Sequence, residues 1–373
     1  MKTFLLLTLD FPPRRGGVAR YLYELAAYYH DKIIVVVSPE KESMEGDSAA
    51  EFELHRQHLL ARFGWPKWVK AFVPLIRYHH KTKVNLVSHI LPLGVVALFY
   101  KRFTKKPYII FLHGMDFALA RRNGWKQKLT RQVLREAHVV VANSETLARE
   151  VLGFVKPREL DVIYPCLSAE LIAKARGFHR DTSVAAHTKE KPLELLTVAR
   201  LVPRKGHAHV LDALALLVSE HRIGSLHYTI VGSGPLISEL EAHTKKLKLE
   251  EHVTFVQNAN DVELIKHYER ADLFIMPTEH LGKDIEGFGT VYVEAAAFGL
   301  PSIASDLPGV NEAVLDNETG LLVPSASVTD LAEAIERLAG DPALRIKLGE
   351  AGKARALSEF TADVQFAKLA ELV

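Results

Sequence analysis

The stretch Glu286-Gly-Phe-Gly-Thr-Val-Tyr-Val-Glu294, continuing as Ala295-Ala-Ala-Phe-Gly-Leu-Pro-Ser-Ile-Ala-Ser305, decides the fold class of this chain. Two carboxylates bracket a Gly-flanked aromatic and the opening of an apolar helix, and a buried-strand pattern follows at once. Glu286 precedes the helix, where backbone N–H groups are unpaired and the dipole is positive. Glu294 falls at least a turn inside it. That arrangement suits a ligand with an anionic end and a polyol end: helix N–H groups take phosphate, and carboxylates accept from sugar hydroxyls. Read singly, each Glu has a plainer account, as an acid at its own helix start or a solvated residue on an outer face. The rest of the chain decides between these.

Working outward, strand and helix patterns alternate throughout. In the first half, apolar runs predict strands at Thr3–Leu9, Lys32–Val37, Val84–His89, Pro107–Leu112, Val139–Ala142 and Asp161–Tyr164. In the second they predict strands at Leu193–Ala199, His227–Val231, Val253–Val256, Leu273–Met276, Ser302–Ser305 and Gly320–Val323. Each run is continuous, as in parallel strands buried on both faces. Residues 174–191 are polar and aperiodic and read as a linker. The expected organisation is α/β: two doubly wound Rossmann-like domains, 1–173 and 192–357, facing across a cleft at the strand C-terminal ends, where open parallel sheets bind ligands. Residues 358–373 form a C-terminal helix with the option of packing back on the first domain.

At 373 residues two domains are the default. The single cysteine, Cys166, rules out an internal disulfide framework and suits a reducing cytoplasm. The apolar run Thr3–Leu9 is short and ends at Asp10-Phe-Pro-Pro, so it reads as a strand and not as a signal peptide. No run approaches the roughly 20 apolar residues of a membrane span.

Net charge is +2, unevenly placed. Residues 1–170 carry 26 Lys+Arg against 16 Asp+Glu, net +10; the remainder carries 47−26=21 against 45−16=29, net −8. The first half therefore faces something anionic. Nucleic acid fits the charge, but no motif for it is present, which makes a membrane surface the stronger candidate. Residues 56–83 interleave Trp65, Trp68, Phe72 and Leu75 with basic residues, among them Lys67 and Lys70. This composition fits an interfacial segment at the inner face of the cell membrane. It equally fits a helix that turns its aromatics into its own core.

Several loops at the strand ends are chemically equipped. Gly16-Gly17 follow the first strand and open a helix, so that backbone can approach a phosphate or sugar closely. His113-Gly114 stands where the strand Tyr108–Leu112 ends. Arg200 ends the strand Leu193–Ala199, and Lys205-Gly206 opens the next helix. Two cations so placed can grip two phosphate groups, Arg as a fork and Lys as a point charge; the plainer account is a solvated turn. Gly232-Ser-Gly234-Pro is a second tight turn, for which a purely structural role suffices. No His/Asp cluster has metal-ligand spacing.

Taken in order, Phe-Pro-Pro-x-x-Gly-Gly, His-Gly, Ala-Asn-Ser, Arg-x-x-x-x-Lys-Gly, Val-Gly-x-Gly, Glu-x-Phe-Gly, Glu-Ala and Gly-x-Pro resemble the family-four retaining glycosyltransferases of fold type B, over nearly the whole chain. Arg200-Leu-Val-Pro-Arg-Lys-Gly206 and the loop Met276–Gly289 are most similar to the bacterial phosphatidylinositol-mannoside mannosyltransferases. The resemblance implies that Arg200 and Lys205 bind the donor diphosphate. Glu286, with the backbone of Gly287, Phe288 and Gly289, would hold the donor sugar, and Glu294 the ribose diol. Gly16 and Gly17 would make room for diphosphate and acceptor. His113 would contact the sugar near its anomeric centre, and Asn258 to Asp261 would lie at the base. Gly232 and Gly234 count with the donor-binding turns. Gln257 and Cys166 stand where the family usually has Gly.

The implied reaction moves a hexose from a nucleotide diphosphate sugar, GDP-mannose favoured, to a lipid-linked or glycan acceptor, with retention and without a metal or other cofactor. The alternatives are a UDP-sugar enzyme with a soluble acceptor, a nucleotide-sugar epimerase, and a non-catalytic nucleotide-sugar binding protein. The last would lack Arg200, Lys205 or Glu286, and all three are present.

Overall fold

The computed structural model describes residues 2–14, 16–39, 50–61, 66–180, 192–282 and 286–372. They form two compact units, Met1–Cys166 with Ala362–Val373, and Leu167–Thr361. The chain enters the second unit at Leu167, seven residues ahead of the expected linker. Residues Ala169–Gly177 are a helix capped by the Ser168 side chain, so the start of that linker is ordered structure. Residues 181–191 of it lie outside the described residues.

Among the described residues, the first unit holds seven parallel strands: β1 (Phe4–Thr8), β2 (Ile33–Val37), β3 (Glu53–Arg56), β4 (Val84–Val87), β5 (Tyr108–Leu112), β6 (Val139–Ala142) and β7 (Leu160–Val162), in the order 3-2-1-4-5-6-7. The second holds six, also parallel: β8 (Leu193–Val198), β9 (Leu226–Val231), β10 (Val253–Val256), β11 (Leu273–Met276), β12 (Ser302–Ser305) and β13 (Gly320–Val323), in the order 10-9-8-11-12-13. Both are doubly wound orders, in which the direction of winding reverses at one place. That switch point falls between β1 and β4 in the first sheet and between β8 and β11 in the second.

The inner strands of the first sheet, with β11 and β12 of the second, are buried along their whole length because side chains alternate between two covered faces. In β1, Leu5 and Leu7 join one core while Phe4 and Leu6 join the other. The edge strand β3, Glu-Leu-His-Arg, was not expected from the sequence. It is only half-buried along its length, so nothing selects an apolar run.

The segment 56–83 is not one helix. Pro66 precedes a 3-10 turn, Lys67–Ala71, which runs into a single short helix, Phe72–Arg77. Trp68 turns inward, its ring stacked on Phe99 at 5.9 Å and set against the first core. Of the two accounts of this segment, that supports the core-facing one for Trp68 and goes against its place at a membrane. Trp65 lies outside the described residues. Lys67 and Lys70 are exposed, as are Val69, Val73 and Ile76, the last two 52% and 65% exposed.

Candidate functional site

In the second unit, chemistry gathers at the switch point. β8 runs into a 3-10 turn, Pro203–Lys205, and the helix His207–Ser219 starts only after Gly206. Gly206 has φ +70°, and a Cβ there would come within 2.0 Å of the Pro277 carbonyl oxygen. The loops after β8 and β11 are therefore in backbone contact. The Glu279 N–H donates to the Arg204 carbonyl at 2.8 Å and closes the same junction.

The tight turn faces Arg204 and Lys205 inward, both under 10% exposed. Each meets the carboxylate of Glu286: Lys205 Nζ lies 2.5 Å from Oε2, and Arg204 Nη1 donates to the same oxygen. Burial alone would push the Glu286 carboxyl up. The two cations outweigh it and hold the group below the ordinary carboxylate range. Three charges thus form a buried cluster, two positive around one negative. Lys205 Nζ also lies 3.6 Å from Met276 Sδ at the end of β11.

Arg200 is exposed, and its carbonyl sits 3.2 Å from Nε2 of buried His207. The structure thus brings Lys205 and Glu286 into direct contact and leaves Arg200 outside that contact. Arg204 was missed by the sequence reading. The only signal was the tight turn itself, with Pro203 at its start and Gly206 at its end.

Glu294 lies inside the helix Thr290–Ala297 and is 5% exposed, which removes the solvated-surface account. Its Oε2 accepts from the Tyr268 hydroxyl at 2.9 Å. Gly289 opens that helix with φ +81°. Phe288 is buried against Phe360 at 5.4 Å, so its backbone rather than its ring is what the loop can offer a ligand. Asn258 and Asp261 are exposed beside the start of the helix Asp261–Arg270, which Asn260 and Glu263 cap reciprocally. A Cβ at Gly232 or Gly234 would come within 1.9 Å of the Ala199 or 2.4 Å of the Leu201 carbonyl oxygen. Both glycines therefore have a packing requirement of their own.

In the first unit, polar groups line the C-terminal ends of adjacent strands. Asp10 follows β1, and Ser88 and His89 follow β4 across the switch point. Ser88 Oγ donates to Thr8 Oγ1 at 2.7 Å, and His89 Nε2 lies 3.1 Å from Asp10 Oδ2. The hydrogen bond from His89 holds the Asp10 carboxyl below its usual range against the pull of burial. His113 follows β5, its ring edge-on to Tyr21 at 5.3 Å. Burial pushes its imidazole down to about 3, so it is neutral at physiological pH. The Nε2 of His113, Oδ2 of Asp116 and Oδ1 of Asn143 are sealed from solvent and have no hydrogen-bond partner among the described residues. A Cβ at Gly16 or Gly17 would meet nothing within 4 Å, so the helix start beside them is open. Among the described residues, no group of three His, Cys, Asp or Glu side chains could hold a metal ion. Nor is any helix long and apolar enough to cross a membrane.

These features can be set beside known proteins. Residues 15–171 match the model "Glycosyltransferase Family 4", and residues 179–355 match "Glycosyl transferases group 1". The chain is 29% identical to a GDP-mannose-dependent alpha-(1-6)-phosphatidylinositol monomannoside mannosyltransferase of Mycolicibacterium smegmatis, over 99% of this chain and 97% of that one. It is also 29% identical to the monoacylated-substrate counterpart of Corynebacterium glutamicum, with the same coverage. Among solved structures it is similar to Anabaena HepE in complex with UDP, at a TM-score of 0.78 and 21% identity over 100% and 99% of the two chains. A glycosyltransferase from Rickettsia africae aligns at a TM-score of 0.79 and 18% identity, over 100% and 97%. With two doubly wound parallel units and both family models matched, the chain is a glycosyltransferase of fold type B related to the family-four enzymes of the phosphatidylinositol-mannoside type.

Proposed function

We propose that this protein is a retaining, metal-independent hexosyltransferase that takes mannose from GDP-mannose and delivers it to a lipid-linked acceptor at the cytoplasmic face of the membrane. The observation that carries the reading is the buried Arg204–Glu286–Lys205 cluster at the second switch point. Glycosyl transfer breaks a C–O bond to a diphosphate, and its largest need is to neutralise the departing charge. Lys205, Arg200 and the helix start after Gly206 supply positive potential for this, so no metal is called on. Glu286 accepts from sugar hydroxyls, Glu294 from the ribose diol, and the Asn258–Asp261 loop faces the base. Neutral His113, with its Nε2 unpartnered, is suited to a sugar hydroxyl. In this reading the departing phosphate oxygen takes the acceptor proton on the same face, which gives retention.

Mannose and the lipid acceptor rest on the likeness to the mycobacterial and corynebacterial enzymes. A UDP-hexose is the second reading, favoured by the likeness to a structure that holds UDP and glucose. Mass spectrometry of slow donor hydrolysis across a panel of GDP- and UDP-sugars tests both, because it needs no acceptor. Hydrolysis fastest with GDP-mannose is expected; a UDP-sugar as the preferred donor moves the reading to the second.

The membrane face is the exposed run Lys67, Val69, Lys70, Val73, Ile76 and Arg77. Apolar insertion plus roughly 1 kcal/mol per well-placed basic residue supports reversible adsorption. The protein should sediment with phosphatidylglycerol-containing vesicles, less so at high salt. Val73→Ser with Ile76→Ser should abolish sedimentation at unchanged melting temperature. Failure of the parent protein to sediment points to a soluble acceptor.

A further inference from the structure

Glu294 is a carboxylate among apolar neighbours: Val293, Ala295, Ala296 and Ala297 are all buried beside it. A charge in such a place is tolerated only where hydrogen bonds hold it. One is the Tyr268 hydroxyl, 2.9 Å from Oε2. Tyr268 is itself fully buried, and two independent contacts fix it. Its ring stacks on Phe298 at 5.7 Å and 11°, and Phe298 directly follows the helix that carries Glu294. The guanidinium of Arg180 donates to the carbonyls of Tyr268 at 3.1 Å, Phe298 at 3.1 Å and Ala271 at 2.5 Å. One side chain thereby pins together the C-terminal ends of the helices Asp261–Arg270 and Thr290–Ala297. The first of these helices starts at the exposed Asn258–Asp261 loop. Seven residues of helix, roughly 10 Å, separate that start from Tyr268, a distance on the scale of a nucleoside.

We propose that Tyr268 is a positioning residue for nucleotide recognition: its hydroxyl orients the Glu294 carboxylate toward the vicinal diol of the donor ribose, and its helix ties that contact to the base loop. The inference rests on the reading of Glu294 as the ribose acceptor. Tyr268→Phe removes the hydroxyl and keeps the ring that stacks on Phe298.

The test is calorimetry of GDP and UDP, each beside its 2′,3′-dideoxy counterpart, with the parent protein, Tyr268→Phe, Glu294→Ala and the double variant. Tyr268→Phe should weaken binding of the better ribonucleotide about fivefold to tenfold and leave dideoxynucleotide affinity unchanged. The double variant should bind no worse than Glu294→Ala. If Glu294→Ala abolishes ribose discrimination while Tyr268→Phe keeps it, or weakens ribo and dideoxy forms equally, the positioning role is wrong and the ribose reading stands. If Glu294→Ala keeps full discrimination, both are wrong.

Discussion

The two units place their polar groups at the same topological address and treat them in opposite ways. In the second unit, Arg204, Lys205 and Glu286 hold one another in place through one carboxylate oxygen and leave a net positive charge. In the first, His113, Asp116 and Asn143 keep buried polar atoms without a partner among the described residues. The difference separates two kinds of preparation. Charges fixed in advance cost no reorganisation when a leaving group departs. Unpartnered polar atoms instead carry a desolvation cost that the fold has already met, and a hydrogen bond gained there from a ligand would recover part of it.

The comparison breaks most directly at Glu286. Glu286→Ala leaves two buried cations without their shared partner, a change that costs about 3–5 kcal/mol. We expect a large drop in the melting temperature of the second unit, partly restored in the Glu286→Ala, Arg204→Met double variant. A melting curve that matches the parent would mean that the cluster is not a closed set. The same logic gives the opposite result in the first unit. Asn143→Ala removes an unpartnered oxygen and should change stability by under about 1 kcal/mol, while turnover falls.

Lys205→Ala should lower turnover at least about a hundredfold, or ~2.7 kcal/mol, with the fold retained. Arg200→Ala should do the same without touching stability, since Arg200 is exposed. Initial rates beside circular dichroism check both. Near-parent turnover in either variant removes that residue from the diphosphate role.

A pH series sharpens the comparison further. Burial lowers the His207 imidazole to about 4. Its unfolded-state value is near 6.5. Between these values the unfolded chain binds the extra proton, so stability is complete above about pH 6.5 and is lost as pH falls toward 4. The full loss is at most ~3 kcal/mol. His207→Gln lacks this titration, so its deficit relative to the parent should shrink as pH falls from 7 to 4.5. A constant deficit across that range would show that His207 does not titrate this way.

Much of this was legible in the sequence, for a physical reason. Strands covered on both faces are mostly apolar along their length, so β1, β2, β4, β5, β6, β11 and β12 announced themselves, and enough apolar residues remain in β7, β8, β9, β10 and β13 to show them too. β3 needs no such run, because it lies half-buried at a sheet edge, and it escaped notice. Glu286, Lys205 and Glu294 stood out through glycine and helix punctuation around them. Arg204 did not, since a basic residue next to Lys in a loop ordinarily points to water, and only its burial against Glu286 shows otherwise. Trp68 stayed open between two accounts for the converse reason: composition cannot say which way an amphipathic segment broken by Pro66 and Pro74 will rotate.

The chain leaves the first unit at Cys166 and returns to it at Ala362. Tyr29 donates its hydroxyl to the Phe366 carbonyl at 2.5 Å, the Tyr164 N–H reaches Gln365 at 2.9 Å, and Phe366 is fully buried in the core behind β1. In terms of synthesis, the second unit is an insertion within the first. A ribosome finishes the second unit before it has made residues 362–372, so the unit begun first is the last to be completed. A nick or truncation in that short tail would strike the first unit's core and spare the Arg204–Glu286–Lys205 cluster, and a circular permutation that opens the chain within 1–166 would have to keep the tail in register with Tyr29 and Tyr164.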